Sequence, residues 1–133
     1  MRTQRVTLCL PTDDRRRAHA FFAALGFATP GEPADDGVPE PLQVALNDGL
    51  HVMLIPTDGF GWVTAGRTTA ARDTAEFLLS LAAGSPAEVD GLLARAAEAG
   101  GEVVSPAQQR PWGHTGTFAD PDGHLWEVAA PSP

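Results

Sequence analysis

A short pattern that occurs twice in the 133-residue sequence constrains the fold more than any other feature. Residues 48–56 read Asp-Gly-Leu-His-Val-Met-Leu-Ile-Pro, and residues 122–128 read Asp-Gly-His-Leu-Trp-Glu-Val. In both copies an Asp-Gly turn precedes an apolar run, because glycine tolerates the positive φ that tight turns require. The copies begin about 70 residues apart. We therefore expect a chain of two similar halves.

Alternating apolar and polar residues predict strands, and apolar residues at helical spacing predict two helices. The first helix is expected to have Thr12 or Asp13 as its N-cap and Gly26 at its C-cap. The second begins at Ser85, which opens the capping-box sequence Ser-Pro-Ala-Glu, and stops before Gly101. The predicted strands are residues 5–10, 42–46, 50–55, 74–81, 102–105, 115–119 and 125–129.

The order of these elements predicts a single α+β domain built from two βαβββ modules. The modules span about 1–63 and 73–131 and are joined by an irregular segment at about 56–72, which is rich in glycine and threonine. A second irregular segment, 29–41, holds several prolines and acids. A β-rich unit of this size is expected to curl around a concave face that can hold a ligand.

Composition excludes several classes of protein. The formal net charge of −8 disfavours binding to nucleic acid or to an anionic membrane surface. No apolar run approaches the roughly 20 residues of a membrane-spanning helix. The only cysteine is Cys9, so no internal disulfide can form and secretion gains no support. We expect a soluble, cytoplasmic protein.

Glu127 is the residue whose surroundings matter most for function. On a strand from Leu125 to Ala129, Glu127 shares a face with these two apolar residues. A carboxylate on a buried face needs a metal ion, a cation or a hydrogen-bond donor as its partner. One hypothesis is that Arg5, which has the same strand parity as Thr7, reaches Glu127 or Glu76 and supplies the compensating charge.

Three stretches, residues 8–27, 96–104 and 118–128, resemble the vicinal oxygen chelate superfamily, which includes glyoxalase I, extradiol dioxygenases and antibiotic resistance proteins. The resemblance covers nearly the whole chain. It implies paired βαβββ modules that form a cup-shaped mixed sheet, usually in a homodimer.

The resemblance also implies metal-ligand positions on the first and last strands of each module. In this sequence those positions fall on Thr7, Leu54, Leu78 and Glu127, of which Glu127 alone is a usual ligand. A divalent ion needs about three protein ligands, so we expect no metal cofactor. If a divalent metal such as zinc, nickel or iron binds, we expect its ligands to be Glu127, Glu76 and His51.

Aromatic residues supply the remaining candidates. Trp62, Phe60 and Trp112 lie in glycine-rich segments, where they suit aromatic clamps on a planar ligand; packing within the loop is the alternative. His114 lies in the sequence Trp-Gly-His-Thr-Gly, which suits the rim of a cleft.

Our leading hypothesis is a homodimeric protein that binds a small aromatic or cationic molecule, such as an antibiotic or a toxic metabolite. The expected ligand-binding residues are Trp62, Phe60, Trp112, His114, Glu76, Glu127, Arg5 and Thr7. One alternative is a metal-dependent lyase or isomerase of glyoxalase type. A second alternative is a cofactor-free enzyme with Glu127 or His114 as its base.

Overall fold

A computed structural model describes residues 1–132 and divides the chain into two compact units, Met1–Thr69 and Ala70–Pro133. The described part contains three helices and two mixed sheets, one sheet in each unit. The predicted α+β class is confirmed. The boundary between the units falls within the predicted joining segment, 56–72.

The first unit has a three-stranded sheet, which consists of β1 (Val6–Thr12), β2 (Leu42–Asn47) and β3 (Leu50–Pro56) in the order β1-β3-β2. The first and last of these strands in the chain, β1 and β3, run parallel, whereas β2 and β3 form an antiparallel hairpin. Most of the buried apolar side chains of the unit come from one face of this sheet and from one side of the first helix. The helices of the unit are α1 (Arg15–Ala24) and α2 (Thr57–Val63).

Helix α1 begins one or two residues later than the sequence suggested. Its N-cap is Asp14, whose backbone is extended and whose Oδ1 accepts a hydrogen bond from the Arg17 amide at 3.0 Å. Thr12 is instead buried, and its hydroxyl donates to the Asp14 carbonyl. The helix ends one residue earlier than predicted, because its C-cap is Leu25, and Gly26 follows with a φ of +93°.

The first unit departs from the predicted module in two ways. Only two strands follow α1, and an isolated bridge between Ala28 and Ala45 lies where a third strand would pair. The segment predicted to be irregular contains α2, which ends in a hydrogen bond from the Thr64 amide to the Phe60 carbonyl at 3.2 Å. The prediction of an unstructured 56–72 was therefore wrong over Thr57–Val63.

The second unit is a complete βαβββ module. Its strands are β4 (Leu79–Ala82), β5 (Glu102–Arg110), β6 (Gly113–Ala119) and β7 (Leu125–Ala130), in the order β4-β7-β6-β5. Ser85 caps its helix as predicted, because the Ser85 hydroxyl accepts from the Glu88 amide at 3.2 Å. Two strand predictions were wrong in extent: the first strand is shorter than 74–81, and the strand after the helix is longer than 102–105. The helix of this unit is α3 (Pro86–Glu98).

The two faces of the second sheet have different surroundings. A Cβ atom built at Gly116 would overlap the Leu93 side chain of α3, so the Gly116 face of β6 contacts that helix. Val128 pairs with Gly116, and Trp126 and Val128 are both buried. Alternation along the strands places Glu127 on the other face. We call this other face, which carries Ser80, Thr117, Leu125, Glu127 and Ala129, the distal face.

Candidate functional site

Glu127 lies on the distal face and takes its hydrogen-bond donor from the neighbouring strand. Ser80 is directly opposite Glu127 in the parallel β4–β7 pair. The Ser80 hydroxyl donates to Glu127 Oε1 at 2.7 Å. Thr117 is opposite Glu127 on β6, and Ser105 is opposite Thr117 on β5. One row of hydroxyl and carboxylate groups therefore crosses all four strands.

The turn before β7 sets the position of Glu127. Asp120 Oδ1 accepts hydrogen bonds from the amides of Asp122 and His124, each at 3.0 Å. Gly123 occupies the left-handed region with a φ of +90°, which closes the turn. The same backbone turn starts β7 in the register that places Glu127 opposite Ser80.

Asp120 is a buried carboxyl with a structural role. Its second oxygen, Oδ2, accepts a hydrogen bond from Trp126 Nε1 at 3.1 Å. The residue is only 3% exposed, and burial raises the pKa of the Asp120 carboxyl above its ordinary value. The charge of His124 and the Trp126 hydrogen bond act in the opposite direction on that pKa.

The same turn brings three potential metal ligands together. Asp120, Asp122 and His124 each offer an atom within 4.8 Å of the others. Both oxygens of Asp120 already accept N–H groups of the turn or of Trp126. These hydrogen bonds therefore explain why the three residues lie close together, because the bonds hold the backbone of the turn in place.

Arg72 packs on this turn, and sequence reasoning did not single it out. Arg72 Nη2 donates to the Pro121 carbonyl at 2.6 Å. A Cβ atom at Gly123 would come within 3.1 Å of Arg72 Cγ, so glycine also leaves room for the arginine. No local pattern predicts a contact between residues 49 positions apart.

Two charged residues predicted to act with Glu127 lie outside the strands. Glu76 is exposed and lies in a bend before β4 begins. Arg5 is exposed and precedes β1. Glu127 takes its donor from Ser80 instead. Arg5 lies in the first unit and is exposed, and its role as the compensating charge stays a prediction.

His51 and Thr7 form part of a separate polar group in the first unit. His51 is buried on β3 and pairs with Thr7 of β1. The His51 Nδ1 atom lies 2.9 Å from Gln43 Oε1 on β2. Leu54, to which a metal-ligand position was assigned, is 2% exposed and pairs with the buried Leu10 of β1. The residue that corresponds to Glu127 after the Asp-Gly turn is Met53.

His114 lies on the face of the second sheet opposite Glu127. Its Nε2 atom is 2.9 Å from Asp90 Oδ1 on α3. His114 pairs with Ala130, which is buried on the α3 side. The structure therefore does not bring His114 and Glu127 into one site.

The predicted aromatic residues differ in exposure. Trp62, on α2, is 89% exposed and lines an open groove of about 340 Å³ together with Asp58, whereas Phe60 is half-buried. Trp112 is 64% exposed in the turn between β5 and β6, and Arg110 Cζ lies 5.7 Å from its ring centroid. A second groove of about 640 Å³ is lined by acids and arginines at the ends of β1 and β3.

Comparison with known proteins identifies the family. The model of the Glyoxalase/Bleomycin resistance protein/Dioxygenase superfamily matches residues 4–128. The chain therefore belongs to this superfamily. No curated protein matches the chain. None of the helices in residues 1–132 combines the length and hydropathy that a membrane span requires.

Solved structures of the same fold include proteins of different kinds. A glyoxalase-related enzyme from Fulvimarina pelagi is 26% identical, with a TM-score of 0.77 over 96% of this chain and 88% of that chain. TnmS3, an antibiotic binding protein from Streptomyces sp. CB03234, is 26% identical, with a TM-score of 0.64 over 99% and 97%. A hypothetical protein from S. aureus is 24% identical, with a TM-score of 0.82 over 98% and 95%, and shows the fold alone.

The side chains at the implied metal positions do not fit a divalent ion. Thr7 offers a hydroxyl, Leu54 and Leu78 offer hydrocarbon, Met53 offers a thioether, and Glu127 offers the one carboxylate. The nearest polar neighbours of Glu127 across the strands are the hydroxyl residues Ser80 and Thr117. Neutral serine and threonine hydroxyls are poor replacements for the nitrogen, sulfur and carboxylate ligands of zinc and similar metals.

Proposed function

We propose that this protein binds a small organic molecule on the distal face of its second sheet and releases that molecule unchanged. Binding would sequester an antibiotic or a toxic metabolite, without a metal ion. We further propose that the protein acts as a cytoplasmic homodimer with no nucleic-acid or membrane partner.

The observation that carries this proposal is the row formed by Ser80, Glu127 and Thr117. The row presents a half-buried carboxylate and two hydroxyl residues between apolar neighbours, Leu125 and Ala129. A few polar groups within an apolar surface are typical of small-molecule sites. The donors around Glu127 are suited to hydrogen bonding and are too few to ligate a divalent ion.

Two further observations support ligand binding. The structural relative TnmS3, which is 26% identical over nearly the full length, is an antibiotic binding protein. Trp62 and Trp112 are both largely exposed, and exposed tryptophans offer flat surfaces that can stack on a planar ligand. We propose these two residues, with Phe60, as further ligand contacts.

The proposal is tested by screening metal-free protein against planar antibiotics and reactive aromatic metabolites. Tryptophan fluorescence and equilibrium dialysis measure binding, and mass spectrometry of the recovered ligand measures conversion. We expect at least one compound to bind at one equivalent per chain and to be recovered unchanged. Trp62→Phe and Trp112→Phe assign the fluorescence change to one ring.

Three results would contradict the proposal. Binding of one equivalent of zinc, nickel or iron, together with turnover that a chelator abolishes, would support the metal-dependent lyase instead. Turnover in metal-free protein that Glu127→Gln abolishes would support the acid/base enzyme. Failure of every compound in the panel to bind would argue against sequestration. Glu98→Gln, an exposed change of equal charge on α3, is the matched control.

A further inference from the structure

The immediate partner of Glu127 leaves the negative charge of its carboxylate uncompensated. Ser80 donates one hydrogen bond to Oε1 at 2.7 Å, and serine carries no charge. Among the described residues, Glu127 forms no ion pair; those found include Arg15 with Asp36 and Glu40. An ionised carboxylate has about four acceptor positions, so one serine leaves most of them for another donor.

The residues around the carboxylate are apolar on both sides along the strand. Leu125 and Ala129 flank Glu127 on β7, and their partners on β6 are Ala119 and Thr115. Leu125, Glu127 and Ala129 are all half-buried. A group that binds here thus meets one negative charge within a mainly hydrocarbon surface.

We infer that the ligand carries a protonated amine or amidine on a flat apolar body, and that its nitrogen donates to Glu127. This inference rests on the proposed function and specifies the ligand class for the same site. Charge-assisted hydrogen bonds to carboxylates are stronger than bonds between neutral groups, and they strengthen further as water is excluded. The net charge of −8 also attracts cations toward the protein.

Ser80 acts in this arrangement as a positioning residue. Its hydroxyl holds Oε1 from the adjacent strand, which fixes the carboxylate plane and leaves Oε2 for the ligand nitrogen. A lysine or arginine in the place of Ser80 would neutralise the charge that the ligand requires. The neutral donor orients the carboxylate and keeps the site selective for cations.

The experiment compares two pairs of probes, and within each pair a charged ammonium group is replaced by a neutral hydroxyl group on the same aromatic body. The pairs are 2-naphthylmethylamine with 2-naphthylmethanol, and 9-anthracenylmethylamine with 9-anthracenemethanol. Isothermal titration gives the Kd of each probe for the full chain at neutral pH. We expect the amine of each pair to bind about tenfold more tightly than the alcohol, and we expect this preference to weaken at high salt because a charge pair is screened.

Variants test the roles of the two residues. Glu127→Gln should reduce the amine preference to within about twofold, whereas Glu98→Gln should leave it unchanged. Ser80→Ala should reduce the preference about threefold, and Ser80→Thr, which keeps the hydroxyl, should restore it. Circular dichroism and thermal unfolding confirm that each variant is folded. The salt dependence of the amine preference is measured on the native chain, so this test does not depend on the folding of any variant.

Several outcomes would overturn the inference. Equal affinity for amine and alcohol in the native chain would do so, as would a preference that survives in Glu127→Gln or does not respond to salt. Failure of all four probes to bind would also overturn it. The proposed function is judged separately. A neutral compound from the antibiotic panel that binds and is recovered unchanged would support sequestration but would contradict the cationic ligand class.

Discussion

The indole nitrogen of Trp126 donates a hydrogen bond to Asp120 Oδ2 at 3.1 Å, and both residues are buried. This bond ties the turn before β7 to the core, because Trp126 also stacks on Phe118 of β6 at a centroid distance of 6.1 Å. Glu127 is the next residue along β7. The position of Glu127 therefore depends on the buried carboxyl group of Asp120, which is not itself part of the candidate site.

Replacing Asp120 by alanine should destabilise the protein by about 3 kcal/mol. The change removes the acceptor of three N–H groups, and the buried indole N–H loses its partner. Chemical denaturation measures the free energy of unfolding. Asp48→Ala, in the first Asp-Gly turn, is the matched control. Asp48 is exposed, and the amides of that turn donate to Asn47 Oδ1. We therefore expect Asp48→Ala to change the free energy of unfolding by less than about 0.5 kcal/mol. Equal losses in both variants would contradict this role for Asp120.

The pH dependence of stability should also report on Asp120. Burial raises the pKa of this carboxyl above the ordinary value of 3.8, so the folded protein holds the proton more tightly than the unfolded chain does. The Asp120 contribution is then full below pH 3.8 and is lost as the pH rises through the folded pKa. Asp120→Asn cannot titrate. We expect the Tm of the native protein minus that of Asp120→Asn to fall as the pH rises above 3.8.

The comparison with Asp120→Asn isolates one group, because every other titratable residue is present in both proteins. Differential scanning calorimetry at several pH values gives the two Tm curves. A difference that grows with rising pH would mean that the pKa of Asp120 is lowered by folding, contrary to the effect of burial.

Gly116→Ala should destabilise the second unit by about 1–3 kcal/mol. The new Cβ would overlap the Leu93 side chain and lie 3.1 Å from the Ala107 amide nitrogen. Leu93→Ala removes the side-chain overlap, so the double variant should lose less stability than the two single losses added together. In Gly91→Ala the Cβ meets only Arg95 Nη1, at 3.6 Å, and this helical control should gain about 0.5–1 kcal/mol. Additive losses at Gly116 and Leu93 would contradict the overlap.

Local signals account for the elements that the sequence predicted well. The capping sequence at Ser85 defines the start of α3, and the Asn-Asp-Gly sequence from Asn47 defines the hairpin of β2 and β3. Helix α2 was missed because Gly59 and Gly61 disfavour helix and because its N-cap, Pro56, has no capping side chain. A long-range hydrogen bond from the Thr57 hydroxyl to Asp13 Oδ1, at 2.6 Å, supports this helix instead.

The candidate site was predictable only in part. Strand parity correctly placed Glu127 on the same face as Leu125 and Ala129. The register of β4 against β7, which makes Ser80 the partner of Glu127, joins residues 47 positions apart and has no local signal. His114 was assigned to a turn because the strand was expected to begin at Thr115. Its inclusion in β6 turns His114 toward α3.

Arg15 should control the order of the segment 29–41. Its guanidinium contacts Asp36 at 2.7 Å and Glu40 at 3.2 Å, and it also donates to the Pro39 carbonyl at 2.5 Å. Arg15→Lys keeps the charge but loses the planar set of donors, so we expect a loss of about 1–2 kcal/mol. Hydrogen exchange should accelerate most at Val38, whose amide bonds to Asp36. Arg16→Lys, an exposed neighbour, should leave both measurements unchanged.

Trp62 should contribute to ligand binding without contributing to stability. The side chain is 89% exposed, so Trp62→Ala should change the free energy of unfolding by less than about 0.5 kcal/mol. Trp126→Ala, by contrast, empties a fully buried position and should cost about 3–5 kcal/mol. Loss of a stacking surface at Trp62 should weaken, by about fivefold, the binding of a planar antibiotic that the native protein binds. A Trp62→Ala protein that unfolds easily, or that binds this antibiotic as tightly as the native chain, would contradict an exposed aromatic contact for the ligand.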